Sequence, residues 1–393
     1  MIAKRKASPR NPFKAGAGSR PLLAGREKET ETLTEMLSLL CGKREKWRGP
    51  LASESLPPIR IIGPHGAGKT ALLDWTRRQA EEWGIHCVSC TSLKAEGIEF
   101  FLQKLVANAL GGPIKLLHLY AVLVVKASER LGSGKRRLAE PSYMDWMGVG
   151  LRRRPLLLLL DDAQDYDLRL LSNVLCSSHV LIGRGWPLGL VMTTTPGLDD
   201  HLLKDKYLAD YLFYRRRLLI GPLSEAATRT ALQKPFEQEG VTVAPDALAA
   251  MAAQTDSYPH FIQLVGRKVW EAMEEAGRKD VDVELVRRIE GQVQEGKRFI
   301  YAQAYERLDD NGLIPYACQV MELLERKGGK AHEDAVTDAL IAANDEVDED
   351  RAEEIYAILQ EDGFIWTDDD ETTPCIPSLF SYCRDKQQEN KAS

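Results

Sequence analysis

Cysteine is scarce in this chain, with seven in 393 residues, an odd number at irregular spacing. That argues against a disulfide framework as the source of stability. Cys87 and Cys90 form one CxxC, but no second pair stands at zinc-ligand spacing. Both lie in Ile85 to Thr91, which reads as a buried strand, so they are taken as packed thiols rather than a metal or redox site. Long apolar runs are also missing. The longest, Leu116 to Val125, contains His118 and stops at Lys126, against the roughly 20 apolar residues that a spanning helix needs. Lys4, Arg5 and Lys6 are not followed by an apolar segment, which argues against a secretory leader and predicts a cytoplasmic protein. No internal repeat is visible. What is present, 44% apolar and 28% charged residues over 393 positions, suits two or three soluble globular domains.

The formal net charge of −6 hides an uneven distribution. Residues 1 to 20 carry six Lys or Arg and no acid, and further basic clusters fall at Lys43-Arg44, Lys135-Arg136-Arg137, Arg152-Arg153-Arg154 and Arg215-Arg216-Arg217. From Ala331 to Glu371 there are sixteen Asp or Glu against the single Arg351. The two ends of the chain are built for different partners.

Residues 1 to 20 are aperiodic and rich in Lys, Arg, Pro and Gly, and read as a basic arm. The periodicity then predicts a helix over 26 to 41, a strand at Ile59 to Ile62, a glycine-rich loop, and a helix starting near Lys69. A strand at Ile85 to Thr91 follows, then helices across 96 to 131 and a loop from Gly132 to Pro141. Leu156 to Leu160 is an unbroken apolar run, as expected in the centre of a parallel sheet. Strands at Leu188 to Thr194 and Leu218 to Ile220 complete five, alternating with helices in the α/β manner. After Pro222 helices take over: Ser224 to Glu239, Pro245 to Gln254, Pro259 to Ala276, and one long helix from about Asp282 to Leu308. Three short helical patterns from Gly312 precede Phe364-Ile365-Trp366, acidic turn residues and an apolar stretch at Cys375-Ile376. Helices ending in a small hairpin predict a winged-helix module. The expected fold class is therefore α/β, a five-stranded parallel sheet followed by an all-α lid and the winged helix. The domains run 1–20 (arm), 21–222 (parallel-sheet domain), 223–308 (lid) and 309–393 (acidic module).

Gly63-Pro64-His65-Gly66-Ala67-Gly68-Lys69-Thr70, running on into Ala71, carries the chemistry. Glycines let backbone N–H groups approach phosphates and pass them to a helix N-terminus. In this motif Lys69 contacts the β and γ phosphates of ATP, and Thr70 places its hydroxyl on Mg²⁺. Leu156 to Leu160 delivers Asp161 and Asp162 to the C-terminal edge of a strand, where open α/β sheets bind ligands. Asp161 is the candidate water-mediated Mg²⁺ partner. Asp162 is the candidate base for an attacking water, with Gln164 as a helper because aspartate reaches about one methylene less than glutamate.

With these elements in order, the chain resembles the AAA+ family of oligomeric ATPases, more narrowly its initiator-like, archaeal-type and signal-transducing members, over about residues 10 to 385. Asn11-Pro12-Phe13 and Leu23-Ala24-Gly25-Arg26-Glu27 are similar to the family's N-terminal segment, which implies that Gly25 and Arg26 lie at the adenine side. Thr193-Thr194-Thr195 stands where the family places a polar sensor of the γ-phosphate, implying that role for Thr194. Arg215 and Arg216 stand where it often carries an arginine finger that reaches a neighbouring subunit; a solvated face or a nucleic-acid contact suits the same arginines. Ser257-Tyr258-Pro259-His260-Phe261-Ile262-Gln263 resembles the lid stretch, placing Pro259 at the nucleotide, with Ser257 where glycine is usual. Arg267 lies two turns beyond Pro259.

Winged helices of this family often bind DNA, yet the candidate recognition helix here, Asp350 to Asp362, carries Asp350, Glu353, Glu354, Glu361 and Asp362 against Arg351. Phosphates repel such a face, so the module is expected to dock a protein with a basic surface. DNA, if bound, falls to the basic arm and the arginines of the ATPase domain. The resemblance implies a Mg²⁺-ATP-dependent switch that self-associates and recruits or regulates a partner, in the manner of replication-initiator or transposition-regulator ATPases. The alternative is a nucleotide-bound signalling scaffold of low turnover, used in bacterial defence or regulation.

Overall fold

The computed structural model describes residues 11–13, 21–46, 58–91, 155–166, 168–183, 187–198, 202, 216–344 and 346–392. The helices expected over 96 to 131, the loop 132 to 141, most of the basic arm, the clusters Lys135 to Arg137 and Arg152 to Arg154, and Arg215 lie outside the described residues.

The core is a parallel sheet of β1 (Ile59–Ile62), β2 (His86–Thr91), β3 (Leu156–Asp161), β4 (Leu188–Thr194) and β5 (Arg217–Leu219), in the order β2-β3-β4-β1-β5. Every residue of β3 and β4 is buried. A strand covered on both faces cannot alternate apolar with polar side chains, which is why Leu156 to Leu160 contains no polar residue. Helices α1 (Glu27–Lys46), α2 (Lys69–Glu82) and α3 (Leu168–Gly183) accompany the sheet. Leu33, Met36, Leu37 and Leu40 of α1 join its hydrophobic core. Because β4 lies between β1 and β3, the loop after β1 and the aspartates after β3 flank the C-terminal end of β4.

The lid contains α4 (Glu225–Gln238), α5 (Pro245–Ala253), α6 (Pro259–Glu275), α7 (Val283–Arg288) and α8 (Glu290–Asp310). Two expectations change here. The single long helix is divided: Asp282 caps α7 by accepting from the Leu285 N–H at 2.8 Å, and Ile289 separates α7 from α8. Strands also do not end at Pro222, for β6 (Thr242–Val243) and β7 (Asp280–Val281) form a short parallel pair. Both strands are too short for a period-two pattern to show in the sequence.

Residues after Gly312 form α9 (Ile314–Arg326), α10 (Glu333–Ile341) and α11 (Glu349–Glu361), with a three-stranded antiparallel sheet of β8 (Ala331–His332), β10 (Glu371–Pro374) and β9 (Ile365–Asp368), and a final helix α12 (Pro377–Ala392). Asp369 and Asp370 turn the hairpin with positive φ, a conformation Asp tolerates better than most residues. Tyr301 of α8 and Tyr382 of α12 meet at 5.6 Å between ring centroids, joining lid and C-terminal module, while Phe299 is 67% exposed.

Phe13 reaches from the N-terminal segment into the lid rather than toward the sheet. Its ring lies 4.9 Å from Phe236, and Gly266 of α6 leaves room for it, since a Cβ there would stand 2.3 Å from the ring. Truncating a buried phenylalanine of this kind costs about 3–5 kcal/mol. The Phe13→Ala protein is accordingly expected to unfold its lid at lower urea, measured by hydrogen exchange in α4 and α6; an unchanged profile would show that Phe13 does not brace the lid.

Candidate nucleotide-binding site

The loop after β1 is shaped by steric necessity. Gly63 passes so close to the β5–α4 connection that a Cβ would stand 2.2 Å from the Ile220 carbonyl oxygen, and its N–H donates to the Thr194 carbonyl at 3.3 Å. Gly68, at φ 97°, caps α2 in a left-handed conformation that costs glycine little. Lys69 opens the helix, 5% exposed, and its ammonium donates to the Gly63 and Pro64 carbonyls at 2.7 and 3.0 Å. Burial lowers its affinity for the proton, opposed by Asp162, Glu361 and Asp161. Among the described residues this buried ammonium is held by main-chain oxygens beside an open cleft, an arrangement suited to an anion.

Asp161 stands 5% exposed at the end of β3, and two hydroxyls converge on its Oδ1: Thr193 at 2.7 Å and Thr70 at 3.3 Å. Burial pushes this carboxyl above its usual range; the Thr193 hydrogen bond opposes that shift, Asp162 adds to it, and Thr70 opposes it in turn. Asp162 follows in a left-handed conformation, φ 48° and ψ 58°. Its N–H donates to the Thr193 hydroxyl at 2.7 Å, and Gln164 Nε2 donates to its Oδ1 at 3.1 Å. One threonine hydroxyl thus fixes both aspartates.

Of the threonines at the end of β4, the one touching the aspartates is Thr193, whereas the sensor expected from the sequence is Thr194. Successive side chains of a strand point to opposite faces. The Thr194 hydroxyl turns to the Thr195 carbonyl at 3.2 Å, and Thr194 serves the loop only through its own carbonyl.

Arg26 is 9% exposed and donates to the carbonyls of Gly221 and, at 3.5 Å, Ala67, tying the loop to the β5–α4 connection. Burial lowers its proton affinity, opposed by Glu29 and Glu27. Gly25, at φ 72°, lies against Ala227, where a Cβ would stand 2.5 Å away. Tyr258, fully buried ahead of α6, donates its hydroxyl to the His65 carbonyl, and Pro259 lies across from Gly68.

These elements enclose a cleft of about 600 Å³, within the range of small-molecule sites. One end presents His65 to Ala71 with Asp161 and Asp162, and the other is walled by Leu22, Leu23, Leu223 and Ile262. A polar end rich in N–H groups and an apolar slot together match a nucleotide's phosphates and base. Oxygen ligands from Thr70 and Asp161 suit a hard divalent cation such as Mg²⁺. Arg216 lies apart from the cleft, ion-paired with Glu35 on α1. Arg267 lies within 3.9 Å of Glu271. Cys87 and Cys90 face the sheet packing, and burial pushes the Cys87 thiol up to about 12, removing it from thiolate chemistry. His260, beside Gly66, and Glu361, beside His65, were not singled out by the sequence reading as site residues; only the lid motif pointed to the former.

No protein-family model matches the chain, and no curated protein sequence does either. Among solved structures it is similar to a Walker-type ATPase of Pyrococcus abyssi, with a TM-score of 0.55 and 16% identity, covering 91% of this chain and 95% of that one. It is also similar to the ORC2 protein of Aeropyrum pernix in ADPNP-ADP complexes, with a TM-score of 0.55 and 15% identity over 98% and 99% of the two chains. With its sheet order and the loop, aspartates and lid at one edge, the chain has the fold of the AAA+ P-loop ATPases.

Proposed function

We propose that this protein binds Mg²⁺-ATP in the cleft, hydrolyses it, and uses the nucleotide state to control self-association and the recruitment of a partner protein. The observation that carries this reading is the convergence of Thr70 and Thr193 on Asp161 beside the buried Lys69. The nucleotide complexes named for the A. pernix protein support it. Bound Mg²⁺-ATP supplies the electrophilic phosphorus and the charge neutralisation at the phosphates. Loop N–H groups from Gly66 to Thr70 and the Lys69 ammonium hold the phosphate oxygens, and Thr70 with Asp161 holds the cation. Asp162, oriented by Gln164, holds a water and takes its proton at the carboxylate.

Self-association follows in this reading from Arg215 or Arg216 acting in a neighbouring copy's cleft; the exposed Arg216–Glu35 pair is weak enough to be given up. The C-terminal module, read as a winged helix, is assigned to a protein partner with a basic surface. Its exposed acids include Asp350, Glu353 and Glu354. DNA, where it takes part, is assigned to the basic arm and the arginines of the ATPase domain. The signalling-scaffold reading draws its support from Asp162, where a glutamate would reach further.

In the purified protein, Lys69→Ala is expected to abolish ATP binding, and Asp162→Asn to lower turnover about 100-fold or more while ATP affinity is retained. Tight ATP binding with negligible turnover at every protein concentration would instead establish the scaffold reading. Thr193→Val is expected to weaken Mg²⁺-dependent turnover ~10- to 100-fold, as loss of a ligand's supporting hydrogen bond does, with Thr194→Val close to wild type; the reverse ranking would return the sensor role to Thr194. Arg215→Ala or Arg216→Ala is expected to reduce turnover without loss of ATP affinity, and unchanged rates in both singles and the double variant would remove the finger assignment.

A further inference from the structure

The end of α11 lies against the phosphate loop. The His65 N–H donates to the Glu361 carbonyl at 3.2 Å, and the Glu361 carboxylate lies 3.5 Å from His65 Nε2. On its other side Glu361 stands beside Gly197, just past the end of β4, where an added Cβ would be 3.5 Å from Oε2. Two neighbouring contacts hold this stretch of the C-terminal module in place. Asp362 is buried and ion-paired with Arg307 of α8, and the Trp366 indole lies flush on Gly221, where an added Cβ would stand 2.5 Å from Nε1. Glu361 and Asp362 therefore do not belong to the exposed acidic face that the sequence reading assigned to this helix. Glu361 lies where the module meets the phosphate loop, with Asp362 beside it.

We propose that Glu361, supplied by the C-terminal module, is a specificity-determining residue of the nucleotide site that disfavours a triphosphate relative to a diphosphate. This rests on the reading of the cleft as a nucleotide site. The carboxylate stands 3.5 Å from His65 Nε2, and His65 lines the phosphate end of that cleft. A diphosphate brings no further negative charge to this region. A triphosphate adds negative charge to the same region, and like charges at such range repel even where solvent reaches them. Because the carboxylate is carried on a docked module, the effect is reciprocal: whatever favours docking of α11 disfavours the triphosphate, and the triphosphate weakens docking.

The test is the ratio of ATP to ADP dissociation constants of the full chain with Mg²⁺, in wild type, Glu361→Gln and Glu353→Gln. Glu361→Gln keeps the side-chain volume and the main-chain bond to His65, so it removes the charge without undocking the helix. The expected result is a ratio shifted about fivefold toward ATP in Glu361→Gln, with Glu353→Gln, on the same helix, unchanged. ADP and ATP binding that both persist with the same ratio in Glu361→Gln would overturn the assignment of Glu361 alone, as would an equal shift in Glu353→Gln, which would reveal only the general field of the acidic module. Failure of the wild-type chain to bind either nucleotide would overturn the nucleotide reading, and this inference with it.

Discussion

Burial of β3 and β4 on both faces is the constraint from which the site follows. Side chains along these two strands are apolar as far as Leu160 and Met192, so their polar chemistry appears where they run out, and the parallel strands run out on the same side. Leu160 pairs with Met192 and Ile61 with Thr193, so Asp161 and Thr193 emerge side by side at that edge, with the loop after Ile62 next to them. The 2.7 Å bond between Thr193 and Asp161 is a direct product of this register. A slip of one residue would direct the alternate side chain, Thr194, to that face.

Desolvation then shapes the chemistry. Asp161 and Lys69 are both nearly buried, and burial disfavours the charged form of each, raising the proton affinity of one and lowering that of the other. Among the described residues Lys69 rests on carbonyls and Asp161 on hydroxyls rather than on each other. Such groups gain most from ligands of opposite charge brought to them, a phosphate in one case and a cation in the other. The same water exclusion that makes the empty arrangement costly makes the loaded one strong.

How far this was legible in the sequence depends on how local each cause is. Eight contiguous residues from Gly63 to Thr70 and the run Leu156 to Asp162 carry their meaning in their own order, and the five strands of the main sheet and the first three lid helices fell within a few residues of their expected bounds. The choice of Thr193 over Thr194 depends on strand phase against a neighbour, which three consecutive threonines conceal. The break at Ile289 falls on no glycine or proline, and Ile289 itself keeps helical dihedrals; it accompanies the packing of α7 against α5, a contact between separate segments. The resemblance places Arg26 at the adenine side, but its buried clamp on Ala67 and Gly221 exists only once three separate segments meet.

Composition was least informative where one helix serves two surroundings. Along α11 the acids look equivalent, yet Asp350, Glu353 and Glu354 are exposed while Asp362 at its end is buried against Arg307. Glu361 reaches His65, and Tyr258 of the lid reaches the same residue's carbonyl. His65 is therefore held from the lid and from the C-terminal module at once, while its neighbours Gly66 to Thr70 face the cleft. Asp256, two residues before Tyr258, extends the connection: its carboxylate accepts from Lys297 of α8 at 2.7 Å and from Ser378 of α12. Asp256 and Ser257 both adopt positive φ, a conformation that persists in such residues when its surroundings determine it. The phosphate loop, lid and C-terminal module are thus joined through short polar contacts.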